Sequence, residues 1–382
     1  VFFILIKLIY KLVYKKLSIY ILNNMLFLIM IGLVMLTRLS FDMAMKQFLI
    51  IAISFAICLI VPVVIEKIPY LSDLGWFYGA FGLVVLLIVY LFGTTKYGAR
   101  NWLNLFGVLI QPSEFVKIIF IFFAASLLSR YKDFKSIVKI TVLAASYVII
   151  FVISKDLGSG LLFFVAYIVV LYVATGKPFY LFSGLGLGSL AAYIAYFLFS
   201  HVRVRVTAWR DPWTYIDNEG FQVAQSLFAI GTGGWFGLGL AKGLPSSIPI
   251  VESDFIFSAI SEELGGITAI CIILISLSCF IMFINIAMKM KKEFYKLVAV
   301  GLSTLYIFQV FLTIGGAVKF IPSTGITLPL VSYGGSSALS TIIMFSIIQG
   351  MYVLNQNEVD VNERKKAKKA KIRKAEDGSE TR

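Results

Sequence analysis

The stretch LGGITAICIILISLSCFIMFINIAM, residues 264–288, contains no Asp, Glu, Lys or Arg. A helix rises about 1.5 Å per residue, so a hydrocarbon core of about 30 Å is crossed by about 20 mostly apolar residues. Similar runs cover 17–36, 47–65, 74–95, 118–129, 140–154, 157–176, 178–200, 297–318 and 335–355. The runs 118–129 and 140–154 reach a full crossing only if their charged flanks enter the membrane. The chain of 382 residues is 59% hydrophobic and 14% charged, with 34 Phe. Its mean hydropathy is +0.92. Such a composition excludes a soluble core and points to an all-α polytopic integral membrane protein with about ten transmembrane helices.

Sidedness follows from the basic residues. With the N-terminus inside, the inner segments hold Lys7 to Lys16, Lys67, Arg130 to Lys139, Lys177, Lys289 to Lys296 and the tail from Arg364 onward. They carry roughly two thirds of the 34 Lys and Arg, so the positive-inside rule places both termini in the cytoplasm. The chain then divides into a basic, interfacial segment 1–16, a transmembrane domain 17–355 and a cytoplasmic basic tail 356–382. No small-residue cleavage site follows the first segment, so an interfacial helix or the remnant of a longer leader is expected rather than a signal peptide. The tail reads as a solvated segment near anionic lipid, not as a nucleic-acid site. Cys58, Cys271 and Cys279 lack CxxC spacing, and His201 stands alone, so neither a disulfide framework nor a His-based metal site is implied.

This topology leaves three unusual segments outside: 96–117, a large extracytoplasmic loop 201–254, and 319–337. The first contains Gly98-Ala99-Arg100-Asn101-Trp102 and Gln111-Pro112-Ser113-Glu114 with Lys117. Glu114 and Lys117 are three apart and share a helix face that begins at Pro112. They either neutralise each other at a helix end or hold a polar substrate. The second carries Arg203, Arg205, Arg210, Gln222, Gln225, a train of glycines from Gly231 to Gly239, and Lys242. No βαβ unit surrounds the glycines, so they serve tight turns or close approach of backbone to a ligand rather than a dinucleotide. The loop ends at Asp254, spaced i, i+4, i+8 with Ser258 and Glu262. An acid at a membrane edge is either a helix N-cap or a working group. The third segment, with Ser332 and Ser336 around Tyr333-Gly334-Gly335, reads as a re-entrant loop lining a cavity, not a potassium filter or a nucleophile elbow. Gly184 and Gly188 form a GxxxG pair suited to helix packing.

Six groups of residues occur in order: Gln111-Pro112-Ser113-Glu114 with Lys117; Lys155-Asp156-Leu157-Gly158-Ser159; Gln222 with Gln225-Ser226; Gly233-Gly234 with Gly237 and Gly239; Asp254-Phe255-Ile256-Phe257 with Glu262-Glu263-Leu264-Gly265; and 322–337. Together they resemble the SEDS family (shape, elongation, division and sporulation; the RodA/FtsW/SpoVE type), over about residues 20 to 355. Two positions depart from the common pattern: Glu252-Ser253 stands where His-Thr is frequent, and Lys155 where proline is frequent. The resemblance implies a bacterial plasma-membrane enzyme that polymerises lipid II into β-1,4 glycan strands and releases undecaprenyl pyrophosphate. It also implies a class B penicillin-binding protein as partner, within an elongation or division complex.

On that basis Asp254 is the expected catalytic base. Arg100, Trp102, Glu114, Lys117, Asp156, Arg210, Gln222, Gln225, Lys242, Ser332 and Ser336 are the expected substrate-binding residues, with Arg100, Lys117, Arg210 and Lys242 as pyrophosphate clamps. No cofactor is specified; a divalent cation could assist the leaving group, but no residue set names one. Membrane lipid is a partner and nucleic acid is not. A lipid II transporter would spread polar residues through the depth of its helices, whereas here they collect on the outer side. A non-catalytic scaffold would have no use for Asp254 and Glu114.

Overall fold

The computed structural model describes residues 1–96, 99–105 and 108–379. Gly98 and the last residues of the tail, 380–382, lie outside the described residues. The chain begins with α1 (Phe2–Val13), α2 (Ile19–Leu39), α3 (Phe41–Cys58), α4 (Val61–Lys67) and α5 (Gly75–Phe92). A short antiparallel meander follows: β1 (Thr94–Lys96), β2 (Ala99–Leu105) and β3 (Val108–Ile110). Then come α6 (Ser113–Arg130), α7 (Phe134–Ile153), α8 (Leu157–Thr175), α9 (Pro178–Leu198), α10 (Ser200–Arg210) and α11 (Phe221–Gly233). The last three helices are α12 (Ile256–Lys289), α13 (Glu293–Ala317) and α14 (Gly335–Ser379). Among the described residues, nine helical stretches are long and apolar enough to cross a membrane, with α3 and α4 forming one of them.

The tenth expected run is α6. It is 18 residues long, but Glu114, Lys117 and Arg130 interrupt its hydropathy. The structure puts it at the centre, with most of its residues buried and packed against α5, α8 and α13. Its N-terminal charges, Glu114 and Lys117, do enter the bundle, whereas Arg130 at the other end is exposed and pairs with Asp73. Phe120 and Phe123 of α6, Tyr147 of α7 and Phe163 of α8 form an aromatic core with ring centroids 4.8–6.2 Å apart. Helices in lipid gain little from excluding water, so close backbone approach matters more. Tyr147 OH accordingly donates to the Gly79 carbonyl at 2.5 Å. A side chain on Gly184 or Gly188 would collide with Ile168 or Phe164 of α8. The GxxxG pair is thus a helix contact.

The first segment is helical and packs lengthwise along α3. Phe2 meets Phe48 and Tyr10 meets Phe55, while Tyr14 OH donates to the Leu59 carbonyl. The large loop is partly folded as α10 and α11. Helix α12 is broken at Gly265, whose φ of 84° leaves the helical region. The backbone groups released there pair with the glycine train: Leu238 and Gly239 N–H donate to the Glu262 and Glu263 carbonyls, and Gly266 N–H donates to the Gly234 carbonyl. In lipid each such group needs a protein partner. The close approach those glycines permit is therefore to α12 itself: a Cβ on Gly237 would lie 2.3 Å from the Glu263 carbonyl oxygen.

Candidate functional site at the outer end of the bundle

The irregular segment 321–334 organises the site. It has no regular hydrogen-bonding pattern of its own, and side chains from several elements hold it. Gln309 Nε2 and Thr313 Oγ1 of α13 donate to the carbonyls of Thr327 and Ile326 at 3.0 and 2.9 Å. Gln47 of α3 donates to the Ser332 carbonyl and accepts from Gly334 N–H. Tyr333 N–H donates to the Glu252 carbonyl at 2.8 Å, and Ser332 Oγ donates to the Ser253 carbonyl. These last two bonds fasten the segment to the loop that carries Asp254.

Asp254 lies two residues ahead of α12, whose N-terminal boundary residue is Phe255 and which carries no side-chain cap. The capping role open to this acid is therefore not the one it fills. Its Oδ1 accepts from Ser253 Oγ at 2.8 Å, and its Oδ2 faces Gly325. Burial lifts its carboxyl above the ordinary range, while Ser253 and the Arg205 guanidinium pull it back down.

A buried polar network reaches the segment through Gln309. Lys117 Nζ donates to Glu114 Oε2 at 2.6 Å and to Gln309 Oε1 at 3.0 Å. Ser340 Oγ donates to the same Glu114 oxygen at 3.0 Å. Lys117 is 3% exposed, and the pair lies in the first turns of α6. Such a charge inside a bundle persists only with several partners. Ser336 Oγ accepts from Gln111 N–H at the start of α6, and Thr327 and Ser337 share a hydroxyl hydrogen bond. Asp156 caps α8 by accepting from Ser159 N–H and Oγ, and Asn101 Nδ2 donates to it at 2.7 Å. Gly158, two residues on, abuts the Thr324 carbonyl. Asp254 and Ser332 thus lie at the segment itself, Lys117 reaches it through Gln309, Asp156 lies two residues from the Gly158 that abuts it, and Ser336 follows it at the start of α14.

The other expected residues sit around this centre rather than in it. The Arg100 guanidinium donates to the Gly93 and Leu91 carbonyls at 2.9 Å and clasps the end of α5. Trp102 lies on β2 opposite Thr94. Arg210 is exposed at the end of α10. Gln222 donates to the Pro249 carbonyl at 2.7 Å, and Gln225 is half-buried on α11. Lys242 is exposed in the turn that Glu262 and Glu263 hold, and its stem packs on Gly239. Gln309, Ser340 and Asn101 belong to the site although the sequence does not single them out as site residues. A polar Gln309 inside the apolar run 297–318 is the one signal it offers. Among the described residues, no group of three or more His, Cys, Asp or Glu is placed to hold a metal ion.

Residues 16–357 match the family model described as Cell cycle protein, that of FtsW, RodA and SpoVE. The chain is 36% identical over 347 residues to the peptidoglycan glycosyltransferase RodA of Mycobacterium tuberculosis (strain ATCC 25618 / H37Rv), covering 83% of this chain and 74% of that protein. It is 35% identical over 276 residues to the stage V sporulation protein E of Bacillus subtilis (strain 168), covering 70% and 75%. Among solved structures, a chain of a peptidoglycan synthase complex described as coordinating polymerization and crosslinking superposes with a TM-score of 0.75 at 22% identity, covering 88% of this chain and 97% of that one. The rod shape determining protein RodA of Thermus thermophilus superposes at 0.64 and 21% identity, covering 88% and 96%. The polytopic helical fold, the ordered motifs around Asp254 and Lys117, and these likenesses agree: the chain belongs to the FtsW/RodA/SpoVE family of cell cycle proteins.

Proposed function

We propose that this peptidoglycan glycosyltransferase polymerises lipid II at the outer end of its helix bundle, with Asp254 as the general base. The acceptor is the C4 hydroxyl of a GlcNAc residue, which attacks the anomeric carbon of the donor MurNAc. Its proton passes to the Asp254 carboxylate, and undecaprenyl pyrophosphate leaves with the bonding electrons. One displacement inverts the α-linked donor to a β-1,4 link and needs no covalent enzyme intermediate. The observation that carries this reading is the carboxyl of Asp254, which caps no helix, accepts one hydrogen bond from Ser253 and faces Gly325 in the irregular segment that Gln309, a partner of Lys117, also holds. Ser113 Oγ at the start of α6 and Thr324 Oγ1 in the segment are buried with no protein partner among the described residues, which suits them to a polar ligand.

Lys117, with Arg100, Arg210 and Lys242, supplies positive charge for the departing pyrophosphate, and Glu114 orders Lys117. Asp156, Trp102, Gln222, Gln225, Ser332 and Ser336 line the approach of the sugars. The enzyme works in the bacterial plasma membrane with both termini cytoplasmic, and a class B penicillin-binding protein crosslinks its product. The contacts of Lys16 with Asp360, Lys132 with Glu293 and Lys291 with Glu358 support that sidedness, because they gather the basic segments at the end opposite Asp254.

The test is polymerisation of labelled lipid II in detergent by wild type and Asp254→Asn, each with a class B penicillin-binding protein and moenomycin to silence other glycosyltransferases. Strands from wild type, reduced by about 10²-fold or more in the variant, are expected. Equal strands from both would remove Asp254 as base. No strands from either folded complex would favour lipid II transport.

A further inference from the structure

The charged groups that face Asp254 are Arg205 of α10 and Glu252 of its own loop. Gly325 separates the first of these from the carboxylate. A methyl group at Gly325 would lie 3.3 Å from Arg205 Nη2 and 3.6 Å from Asp254 Oδ2, so the absence of a side chain leaves the two groups in view of each other. Gly325 has a φ of 74°, a conformation that glycine adopts without strain. Arg205 Nη1 donates to the Ser323 carbonyl at 3.3 Å, and one turn further along α10 Trp209 Nε1 donates to the Lys319 carbonyl at 3.1 Å. The helix is thus fastened at two points to the run 319–325, with its cation held beside the acid.

We infer that Arg205 is the positioning residue for Asp254: it supplies the counter-charge to the base and, through Ser323, anchors the turn against which the base sits. The inference rests on the reading of Asp254 as the base and adds what sets its protonation. Desolvation and Glu252 favour the protonated acid, which cannot accept a proton; the Ser253 hydroxyl opposes them first, and Arg205 is the one cation among the described residues that does so. Burial depresses the His201 imidazole on the same helix, and Arg205 and Lys155 depress it further. The cations expected at the pyrophosphate do not take this place: Arg100 is bonded to the end of α5 and Lys117 to Glu114 and Gln309.

Two readouts on the full chain test the inference. The first is an infrared difference titration of the Asp254 carboxyl, its band assigned by loss in Asp254→Asn. Arg205→Gln is expected to move the midpoint upward by about one pH unit, and Arg205→Lys to return most of that shift. The second is the pH profile of lipid II polymerisation, whose acid limb is expected to shift in the same direction in Arg205→Gln and to be restored in Arg205→Lys. A purely structural role would lower the rate at every pH and leave the limb in place. An unmoved carboxyl midpoint in folded Arg205→Gln, or a shift equally large in Arg205→Lys, would overturn the inference. If Asp254→Asn still makes strands, the base assignment fails by itself, and the infrared titration continues to decide whether Arg205 governs that acid.

Discussion

Lys117 sits where an ammonium ion has no access to bulk water, and its stability depends on the oxygens of Glu114 and Gln309. Removing one member of a buried pair strands the other, at a cost of about 3–5 kcal/mol. Lys117→Met should therefore lower the thermal unfolding midpoint in detergent sharply, and adding Glu114→Gln should recover part of the loss because the stranded charge is gone. Asp254 calls for a different measurement. Its carboxyl is lifted by burial, and only the ionised form can act as base. The rate should fall as pH drops through that lifted value, at a higher pH than an ordinary carboxylate would give. An acid limb at or below the usual carboxylate range would count against Asp254 as the titrating group. Charged residues in a chain this apolar are conspicuous, which is why Asp254, Glu114, Lys117 and Asp156 are legible in the sequence. Gln309 and Ser340 are not, because an uncharged polar residue in an apolar run looks like many others. Arg205 is one of several arginines in a loop, and only the packing of α10 over 319–325 distinguishes it.

At the scale of elements, the break in α12 gives a sharp expectation. Gly265 combines a φ of 84° with backbone contact: a Cβ there would lie 2.4 Å from Gly237 N. Gly265→Ala should cost more than the roughly 1–3 kcal/mol of backbone strain alone, read as a lowered unfolding midpoint and as faster amide exchange in 234–239. Apolar runs announce the spans because a bilayer demands length and hydropathy and little else. The same signal understates α6, since the charges that do its work also shorten its apolar run. It gives no sign of the break at Gly265 either, because a Gly-Gly pair in a greasy stretch suits close packing equally well. The meander β1–β3 and the helices α10 and α11 lie in stretches that read only as loops, where no membrane imposes a pattern.

The whole molecule has two chemically distinct ends. Lys16, Glu66, Lys132, Lys291 and the 355–360 stretch meet at one end; Arg38, Asp156, Arg205, Asp254 and Glu263 stand at the other. In oriented cells a membrane-impermeant thiol reagent should label Asn218→Cys, in the loop between α10 and α11, and leave Lys291→Cys untouched until the membrane is opened. The reverse pattern would invert the topology. The segment 321–334 also has a consequence for how the protein is made. Its anchors come from α3, α10, α13 and the loop before α12, which are far apart along the chain. Each span can enter the bilayer during synthesis on its own hydropathy, but this segment has nothing to bond to until the last of those anchors has docked. Integration and competence are therefore separate events: a newly inserted chain passes through a stage with its helices in place and no reaction centre, and cannot begin polymerising while it is still being assembled.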